Sequence, residues 1–393
     1  MPADPEPRRE RSTTPRAPRS AAGEPTRATG ARARIEAWLQ SLWFTRRPSP
    51  RQRLIGALLA PLGRLTGRIA RRRRAAIEAL PPAAVPVVVI GNLVVGGAGK
   101  TPLVLALVEA LVRDGWKPGI IASGYGARLR AARLVPPDGD ALAHGDEPVL
   151  LARRSGRPVA AARARATAVE LLLQAHPDID VIVSDDGLQH AQLPRDLEIA
   201  VFDERGIGNG RCLPAGPLRA PPDQASAMDA IVTNGTTRAP LDHPRHFTSR
   251  IEAREFIALS GSAAPVPASQ FAGRLAGARV AAVAAIGVPE RFFGTLRALG
   301  IEAETIAAAD HAVLDASFLA AIDADIIVMT EKDAVKCAGW ADERCWALLV
   351  HAIPAPGLID WLIGRLHGLS SARNSRLPGV QGPAAEMAGR PGR

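Results

Sequence analysis

Short apolar runs alternate with helix-like stretches between residues 87 and 234. The run Val87–Ile90 is β-branched and short enough to be a buried parallel strand, and apolar residues recur at helical spacing from Leu103 to Leu111. Residues Leu150–Arg154 and Ala161–Gln174 are predicted helices. The other predicted strands are Pro118–Ala122, Val181–Asp185, Leu197–Phe202 and Ala230–Thr233. This alternation predicts an α/β fold with a mainly parallel, doubly wound sheet.

A second α/β region follows, between residues 248 and 368. Its predicted strands lie near Val280–Ile286, Ile301–Ile306, Ile326–Thr330 and Ala347–His351. We therefore predict a first core at 81–235, a linker at 236–247 and a second, smaller domain at 248–368. The Arg/Pro-rich extension 1–34 and the Pro/Gly/Arg-rich tail 369–393 are predicted to be disordered.

Residues 35–80 form a predicted amphipathic, membrane-associating helical segment. Arginines interrupt its apolar side, and the run Arg71–Arg74 closes it. The segment is too short and too charged to span a bilayer, but it suits a helix that lies in the membrane interface. The alternative is a helix packed on the protein's own core, and the one-sided charge favours the membrane. The apolar side consists of Leu54, Ile55, Leu58, Leu59, Leu62, Leu65 and Ile69.

The positive charge of the chain is concentrated near its start. The 393 residues carry a formal net charge of +10, but residues 1–80 hold 18 arginines, no lysine and six acidic residues. The remaining residues therefore sum to a slightly negative charge, which argues against a nucleic-acid enzyme with a basic working cleft. It favours an arm that contacts an anionic surface. Three cysteines without metal-binding spacing are typical of a reducing compartment.

A glycine-rich loop joins the strand Val87–Ile90 to the helix that follows it. Its glycines allow backbone N–H groups to approach an anion, and the helix N-terminus favours negative charge. Lys100 would reach the β- and γ-phosphates of a nucleotide, and the Thr101 hydroxyl would bind Mg²⁺. Val94 stands where the usual motif has a glycine, so an ordinary strand-to-helix turn is the alternative. The predicted nucleotide-binding residues are Gly96, Gly97, Ala98, Gly99, Lys100 and Thr101.

Lysine is rare in this chain, which has only Lys100, Lys117, Lys332 and Lys336 among 49 basic residues. A lysine in the glycine turn indicates a site that requires a compact ammonium group rather than a guanidinium fork.

Two carboxylates, Asp185 and Asp186, end a predicted strand. Beside a phosphate loop, such a strand end is where Mg²⁺ is held, directly or through water. The alternative is a pair of turn residues. We expect Thr101, Asp185 and Asp186 to surround the metal.

Three further segments carry residues suited to chemistry, although each is a weak signal alone. Asp146 precedes a predicted helix, where an acidic residue is usually a cap. His311 follows an acidic residue, and Arg219 lies on a Pro/Gly loop. The segment 330–336 follows an apolar strand, at the sheet edge where ligands gather in α/β proteins.

Together these segments resemble the tetraacyldisaccharide 4′-kinases, the lipid A 4′-kinases of Gram-negative bacteria. The matching stretches occur in the family's order over about residues 87–340, after an N-terminal apolar helix. They are IGNLVVGGAGKTP, GDEPVLLARR, SDDGLQHAQLPRD, GNGRCLPAGPLR, IGVPERFF, ADH and TEKDAVK. The resemblance implies a P-loop NTPase-like core with a second α/β domain and an amphipathic N-terminal helix.

The resemblance also implies a function and roles for individual residues. The γ-phosphate of ATP would pass to the 4′-hydroxyl of a tetraacyldisaccharide 1-phosphate. Asp146 paired with His311 would be the catalytic base, and Arg219 would lie near the transferring charge. We expect ATP and Mg²⁺ as cofactors, no nucleic-acid partner, and a peripheral or monotopic position on the cytoplasmic face of the inner membrane.

Two alternatives stay open from the residues. One is a P-loop NTPase switch or adaptor at the membrane surface, and the other is a nucleic-acid protein that uses its arginine arm.

Overall fold

A computed structural model describes residues 38–45, 47–127, 129–235, 240–309 and 312–375. The chain divides into two units, residues 1–41 and 42–393. Of the first unit only residues 38–41 are described, and they are helical. The predicted disorder of segment 1–34 lies outside the described residues, as do His311 and the part of the tail beyond residue 375.

The second unit begins with a long helix, continues as alternating strands and helices, and ends with another long helix. The helices are α1 (Pro50–Glu78), α2 (Lys100–Arg113), α3 (Ala141–His144), α4 (Asp146–Ser155), α5 (Arg165–Ala175), α6 (Pro222–Ser226), α7 (Ala268–Arg274), α8 (Pro289–Ala298), α9 (Ala316–Ala320), α10 (Glu331–Cys337) and α11 (Pro356–Asn374). The strands are β1 (Val87–Gly91), β2 (Pro118–Ala122), β3 (Arg133–Leu134), β4 (Val159–Ala161), β5 (Val181–Asp185), β6 (Leu197–Phe202), β7 (Ala230–Asn234), β8 (His246–Ala258), β9 (Val266–Pro267), β10 (Val280–Ala284), β11 (Glu304–Ala307), β12 (Ile326–Thr330) and β13 (Cys345–Pro354).

The described strands form one continuous sheet in the order β11-β10-β12-β13-β8-β7-β6-β1-β5-β2-β4-β3, with β9 beside β8. Most neighbours are parallel, whereas β8 with β13, β3 with β4 and β8 with β9 are antiparallel. β1 lies between β5 and β6. Strands β5, β2 and β4 follow on one side of it and β6 and β7 on the other, so the strand order switches direction here. In α/β proteins, ligands bind at such a switch point.

Strands β1 to β7 form the first half of the sheet and β8 to β13 the second half. Helices cover both faces of the first half. Alternate residues of β1 enter two different cores, with Val88 and Ile90 packing beside α2, α4 and α11, and Val87 and Val89 packing beside α5. This is the pattern of a strand buried on both faces, and it explains why β1 is an unbroken apolar run. The second half of the sheet has its own pair of cores, which share β10 and β12.

Helix α1 turns its small residues toward the protein. A Cβ at Gly63 would lie 2.8 Å from the carbonyl oxygen of Cys212, and one at Gly67 would lie 3.2 Å from the Pro221 ring. The leucines face the other way, and Leu58 is 70% exposed. This is the reverse of what packing an apolar helix face on a core requires. Within the described part of the chain, no helix combines the length and apolar character needed to cross a bilayer.

Most strand predictions agree with the structure to within a few residues, but three features differ. Ala161 ends strand β4 instead of beginning a helix, and α5 starts at Arg165. Strand β8 begins at His246, inside the segment predicted as a linker. Helix α11 extends to Asn374, so the prediction that disorder begins at residue 369 is wrong for residues 369–374. The apolar side of α11 explains this, because Leu358, Leu362 and Leu366 are buried in the first half.

The predicted division into two domains stays a prediction. The sheet is continuous across residues 236–247, of which 236–239 lie outside the described residues, and α11 packs beside α2 in the first half.

Candidate active site

The glycine loop connects the carboxyl end of β1 to the N-terminus of α2. Gly96 and Gly99 have φ values of +93° and +73°, a conformation that glycine adopts without strain. Gly99 is the N-cap of α2, and a Cβ there would lie 2.5 Å from the Asn234 amide nitrogen. The loop therefore favours glycine at both positions because of the backbone angle, and at Gly99 there is also no room for a side chain.

The side-chain amides of Asn92 and Asn234 bind carbonyl groups of the loop. Asn92 donates from Nδ2 to the carbonyl oxygens of Val94, at 2.5 Å, and Gly96, at 2.9 Å. Asn234, at the end of β7, donates to the carbonyl oxygens of Ala98 and Gly99. With these carbonyl groups bound to side chains, the loop is fixed before any ligand enters.

Lys100 begins α2 and extends across the carboxyl edge of the sheet. Its Nζ donates to Asn92 Oδ1 at 3.1 Å and lies 3.6 Å from Asp186 Oδ1. The side chain is largely buried. The ammonium group is thus held at the sheet edge by one amide and one carboxylate.

Asp185 is the last residue of β5 and is almost fully buried. Thr101 donates from Oγ1 to Asp185 Oδ2 at 3.0 Å, while the buried Oδ1 has no hydrogen-bond partner among the described residues. Burial raises the pKa of Asp185 to about 7, with Glu147 adding to the rise and Lys100 opposing it. A cation beside this carboxylate would stabilise its charged form and bind the orphaned oxygen.

Asp186 adopts a left-handed backbone conformation with φ of +51°. Its carboxylate accepts from Arg219 at 3.1 Å, and Arg219 also donates to Gln189 Oε1 at 3.2 Å. Burial opposes ionisation of Asp186, but Lys100 and then Arg219 overcome it and lower its pKa. The Pro/Gly loop carrying Arg219 is anchored by a hydrogen bond from the Arg219 backbone to the Leu93 carbonyl. Arg219 therefore approaches Asp186 from a fixed position.

Asp146 starts α4 and is only 5% exposed. Lys336 Nζ and Lys332 Nζ, from α10 of the second half, lie 3.7 and 3.9 Å from Asp146 Oδ2. Lys332 also pairs with Glu147 at 3.0 Å. Two ammonium groups from one half of the sheet therefore meet two carboxylates from the other.

The model of the tetraacyldisaccharide-1-P 4′-kinase family matches residues 55–367, which is most of the chain. The chain belongs to this family.

Relatives and a solved structure agree with the family match. The tetraacyldisaccharide 4′-kinase of Bordetella petrii is 46% identical over 338 residues, covering 81% of this chain and 94% of the relative. That of Dechloromonas aromatica is 44% identical over 337 residues, covering 84% and 98%. LpxK from Aquifex aeolicus, solved in complex with ATP, is 27% identical with a TM-score of 0.67, covering 79% of this chain and 99% of that one. The predicted family and fold class are confirmed.

In this member of the 4′-kinase family, the described site residues predicted from the sequence meet at one sheet edge. Lys100, Asp186 and Arg219 are linked directly, and Thr101 contacts Asp185. Asp146 is linked to Asp185 less directly, since its neighbour Glu147 acts on the Asp185 carboxylate. His311 lies outside the described residues, so its pairing with Asp146 stays a prediction.

Sequence reasoning missed residues of this 4′-kinase site that act through the backbone. Asn92, Asn234 and Gln189 support the loop and its neighbours, as when Gln189 donates to the Asn92 carbonyl at 2.8 Å. Lys336 ends the TEKDAVK stretch, but the sequence predicted no role for that lysine. The rarity of lysine was the available signal, because three of the four lysines lie at this edge.

The oxygen atoms near the loop fit Mg²⁺ better than a softer metal. Among the described residues no group of three or more His, Cys, Asp and Glu side chains is arranged to hold a metal ion. Mg²⁺ in kinases does not need such a group, because it uses one or two protein oxygens together with phosphates and water. Thr101 Oγ1 and the unpartnered Asp185 Oδ1 provide that set.

Proposed function

We propose that this chain transfers the γ-phosphate of ATP to the 4′-hydroxyl of a tetraacyldisaccharide 1-phosphate, at the edge of the sheet defined above and at a membrane surface. Membership of the family makes it an ATP-dependent tetraacyldisaccharide 4′-kinase of lipid A biosynthesis. The observation that carries the site is that Lys100 and Arg219 both contact Asp186 at this edge, beside Asp185. Thr101 binds Asp185, and Glu147, the neighbour of Asp146, also acts on that carboxylate.

The proposal that the site binds a nucleotide rests on the loop and Lys100. Loop N–H groups and the N-terminus of α2 would bind the phosphates, and Lys100 would exchange its contact with Asp186 for phosphate oxygens. The ATP present in the Aquifex aeolicus relative supports the choice of nucleotide. Thr101 and Asp185 would hold Mg²⁺, which neutralises phosphate charge when bound. Because Asp186 already contacts Arg219 and Lys100, we place it beside the metal through water.

The proposed activation of the acceptor hydroxyl rests on Asp146. Its carboxylate is buried at the N-terminus of α4 and is flanked by Lys332 and Lys336, which restrict its position. With His311, it would accept the proton of the sugar hydroxyl as the hydroxyl attacks phosphorus. Arg219, which is bound to Asp186, would stabilise the charge of the transferring group with its guanidinium.

The proposed attachment to a membrane surface rests on helix α1. At about 100° per residue, Gly56, Gly63 and Gly67 occupy one narrow side, and the leucines centre about 160° away. The glycine side contacts the protein, and Leu54, Leu58, Leu62, Leu65 and Ile69 are all exposed. Aliphatic side chains arranged in this way gain free energy by entering a bilayer interface, at roughly 1.5 kcal/mol or more each when fully buried. The acceptor carries acyl chains, so docking there avoids extracting it into water.

The deciding experiment supplies labelled ATP and Mg²⁺ with a panel of phosphorylated glycolipids in liposomes. We expect label on the 4′ position of the tetraacyldisaccharide 1-phosphate, and none with Lys100→Ala. A switch would instead release phosphate at the same rate with and without the disaccharide lipid, and that result would refute the acceptor assignment.

A further inference from the structure

Two arginines outside the predicted site contact the phosphate loop. Arg205 follows β6, and Arg291 lies on α8 in the second half. Both donate to the carbonyl oxygen of Gly97, Arg291 at 3.0 Å and Arg205 at 3.3 Å. Arg205 also packs so closely that a Cβ at Gly96 would lie 3.1 Å from its guanidinium group. One carbonyl group of the loop is therefore bound by two cations.

The two arginines are held together by one buried carboxylate. Asp203 accepts from Arg205 at 2.7 Å and lies 2.9 Å from Arg291, and its side chain is only 2% exposed. Glu204, which is half exposed, also accepts from Arg291, from Nη2 at 2.7 Å and from Nε at 3.0 Å. Burial alone would raise the pKa of Asp203, but the two arginines overcome this and lower it. The carboxylate stays charged and keeps both guanidinium groups in place.

The position of Arg291 in the fold is unexpected. β10, which leads into α8, is six strands away from β1 in the sheet, about 28 Å if the sheet were flat. Arg291, on α8, nevertheless reaches the loop, where it donates to the Gly97 carbonyl oxygen. Among the described contacts to carbonyl groups of the loop, this one comes from the second half, whereas Asn92, Arg205 and Asn234 belong to the first.

Peptide geometry connects this contact to ligand binding. A trans peptide directs its C=O and its N–H to opposite sides, so arginines on the Gly97 carbonyl turn the Ala98 N–H away from themselves. A cation on the carbonyl group also polarises the peptide and makes that N–H a stronger donor. Asn234, on the next carbonyl, orients the Gly99 N–H in the same manner.

We propose that Arg291 is a positioning residue of the phosphate loop, which orients the Ala98 N–H toward a nucleotide phosphate and couples the second half of the sheet to phosphate binding. This inference rests on the proposed nucleotide site. It assigns Arg291 no direct contact with the reacting atoms. The N–H would bind a phosphate equally in the ground state and the transition state, so its loss should raise the KM for ATP and change kcat little.

The test compares Arg291→Ala with Arg297→Ala, a matched exposed arginine on the same helix. Binding of ATP, ADP, AMP and adenosine, with Mg²⁺ and without acceptor, is measured by calorimetry. We expect Arg291→Ala to weaken ATP and ADP about tenfold, as for loss of a hydrogen bond to a charged group, and to leave adenosine nearly unchanged. Arg297→Ala should resemble the wild type. Arg291→Lys should be intermediate, because an ammonium group can bind the carbonyl without the guanidinium fork.

The outcomes are distinguishable. Wild-type protein that binds ADP no more tightly than adenosine would show that the phosphate site itself is misplaced. If wild-type binding depends on the phosphates and Arg291→Ala does not alter that dependence, the inference is wrong. Equal weakening of all four ligands, with a lower melting temperature and no rescue by Arg291→Lys, would show that Arg291 only stabilises the fold, and would also overturn it.

Discussion

The carboxyl edge of the sheet and helix α1 differ in where their side chains find partners. At the edge, charged groups are buried and are bound by other groups of the same chain, as Lys100 is by Asn92 and Asp186. On α1, the buried residues are three glycines and Ile77, whereas Leu54, Leu58, Leu62, Leu65 and Ile69 are exposed. The described charged groups of the edge are therefore partnered largely within the fold, whereas the exposed apolar side chains of α1 are open to solvent.

The two regions also differ in their cations. Helix α1 contains arginines and no lysine, whereas three of the four lysines of the chain lie at the edge. A lysine is a compact charge that can approach a phosphate or carboxylate from one direction, and an arginine is a broad fork suited to lipid phosphates and to carbonyl groups. The choice of cation therefore follows the geometry that each region requires.

The largest effect is expected from removing the ammonium group of Lys100 at the sheet edge. We expect Lys100→Ala to lower the transfer rate about a thousandfold or more, because the charge of the phosphates loses its main protein partner. Lys100→Arg should also fail, since a fork does not fit the space held by Asn92. Transfer of labelled phosphate is the measurement, and Lys117→Ala, an exposed lysine after α2, is the control. Near wild-type turnover by Lys100→Ala would refute the phosphate site.

The next effect concerns the acceptor side of the edge. Asp146→Ala should lower turnover about a hundredfold or more, as expected for loss of a general base. His311→Ala should do the same, and the double variant should be little worse than either single one if the two act as a unit. Asp138→Ala, an exposed carboxylate nearby in sequence, controls for lost charge. A double variant whose loss equals the product of the single losses would exclude the pairing.

A third effect tests the helix. Changing Leu58, Leu62 and Leu65 together to Ser should reduce binding to anionic liposomes about a hundredfold, even after the burial of three leucines is heavily discounted. Turnover on liposome-embedded acceptor should fall with binding, while ATP affinity stays unchanged. Flotation measures the binding, and Leu142→Ser, an exposed leucine on α3, is the control. Unchanged flotation of the triple variant would show that attachment lies elsewhere.

The smallest effect concerns the arginines that close the helix. Arg71 pairs with Asp223 and Arg74 with Glu198, so these two contribute to the fold. Arg72 and Arg73 are exposed, and changing both to Gln should weaken liposome binding about tenfold at low salt. The difference should shrink as ionic strength rises. An effect that does not depend on salt would indicate a structural role instead.

Sequence predicted most of the strands because each buried strand is a local apolar run, as Val181–Asp185 shows. It also predicted the phosphate loop and the two aspartates, since strand ends and glycines are local signals. It did not predict β4, which has only three residues, nor β8, whose antiparallel pairing with β13 depends on contacts about 100 residues apart. The roles of Arg291 and Asn234 were missed for the same reason, because they bind loop carbonyl groups 194 and 136 residues away in the chain.

The glycine side of α1 fixes a distance as well as a contact. Gly63 and Gly67 are seated against Cys212 and Pro221, and the same loop carries Arg219 to Asp186. The leucines lie on the opposite side of one helix, which is about 10 Å across. If those leucines enter a leaflet as proposed, the height of Arg219 above the lipid would be set by the thickness of a single helix. A sugar headgroup could then reach the transferring phosphate while its acyl chains stay in the bilayer.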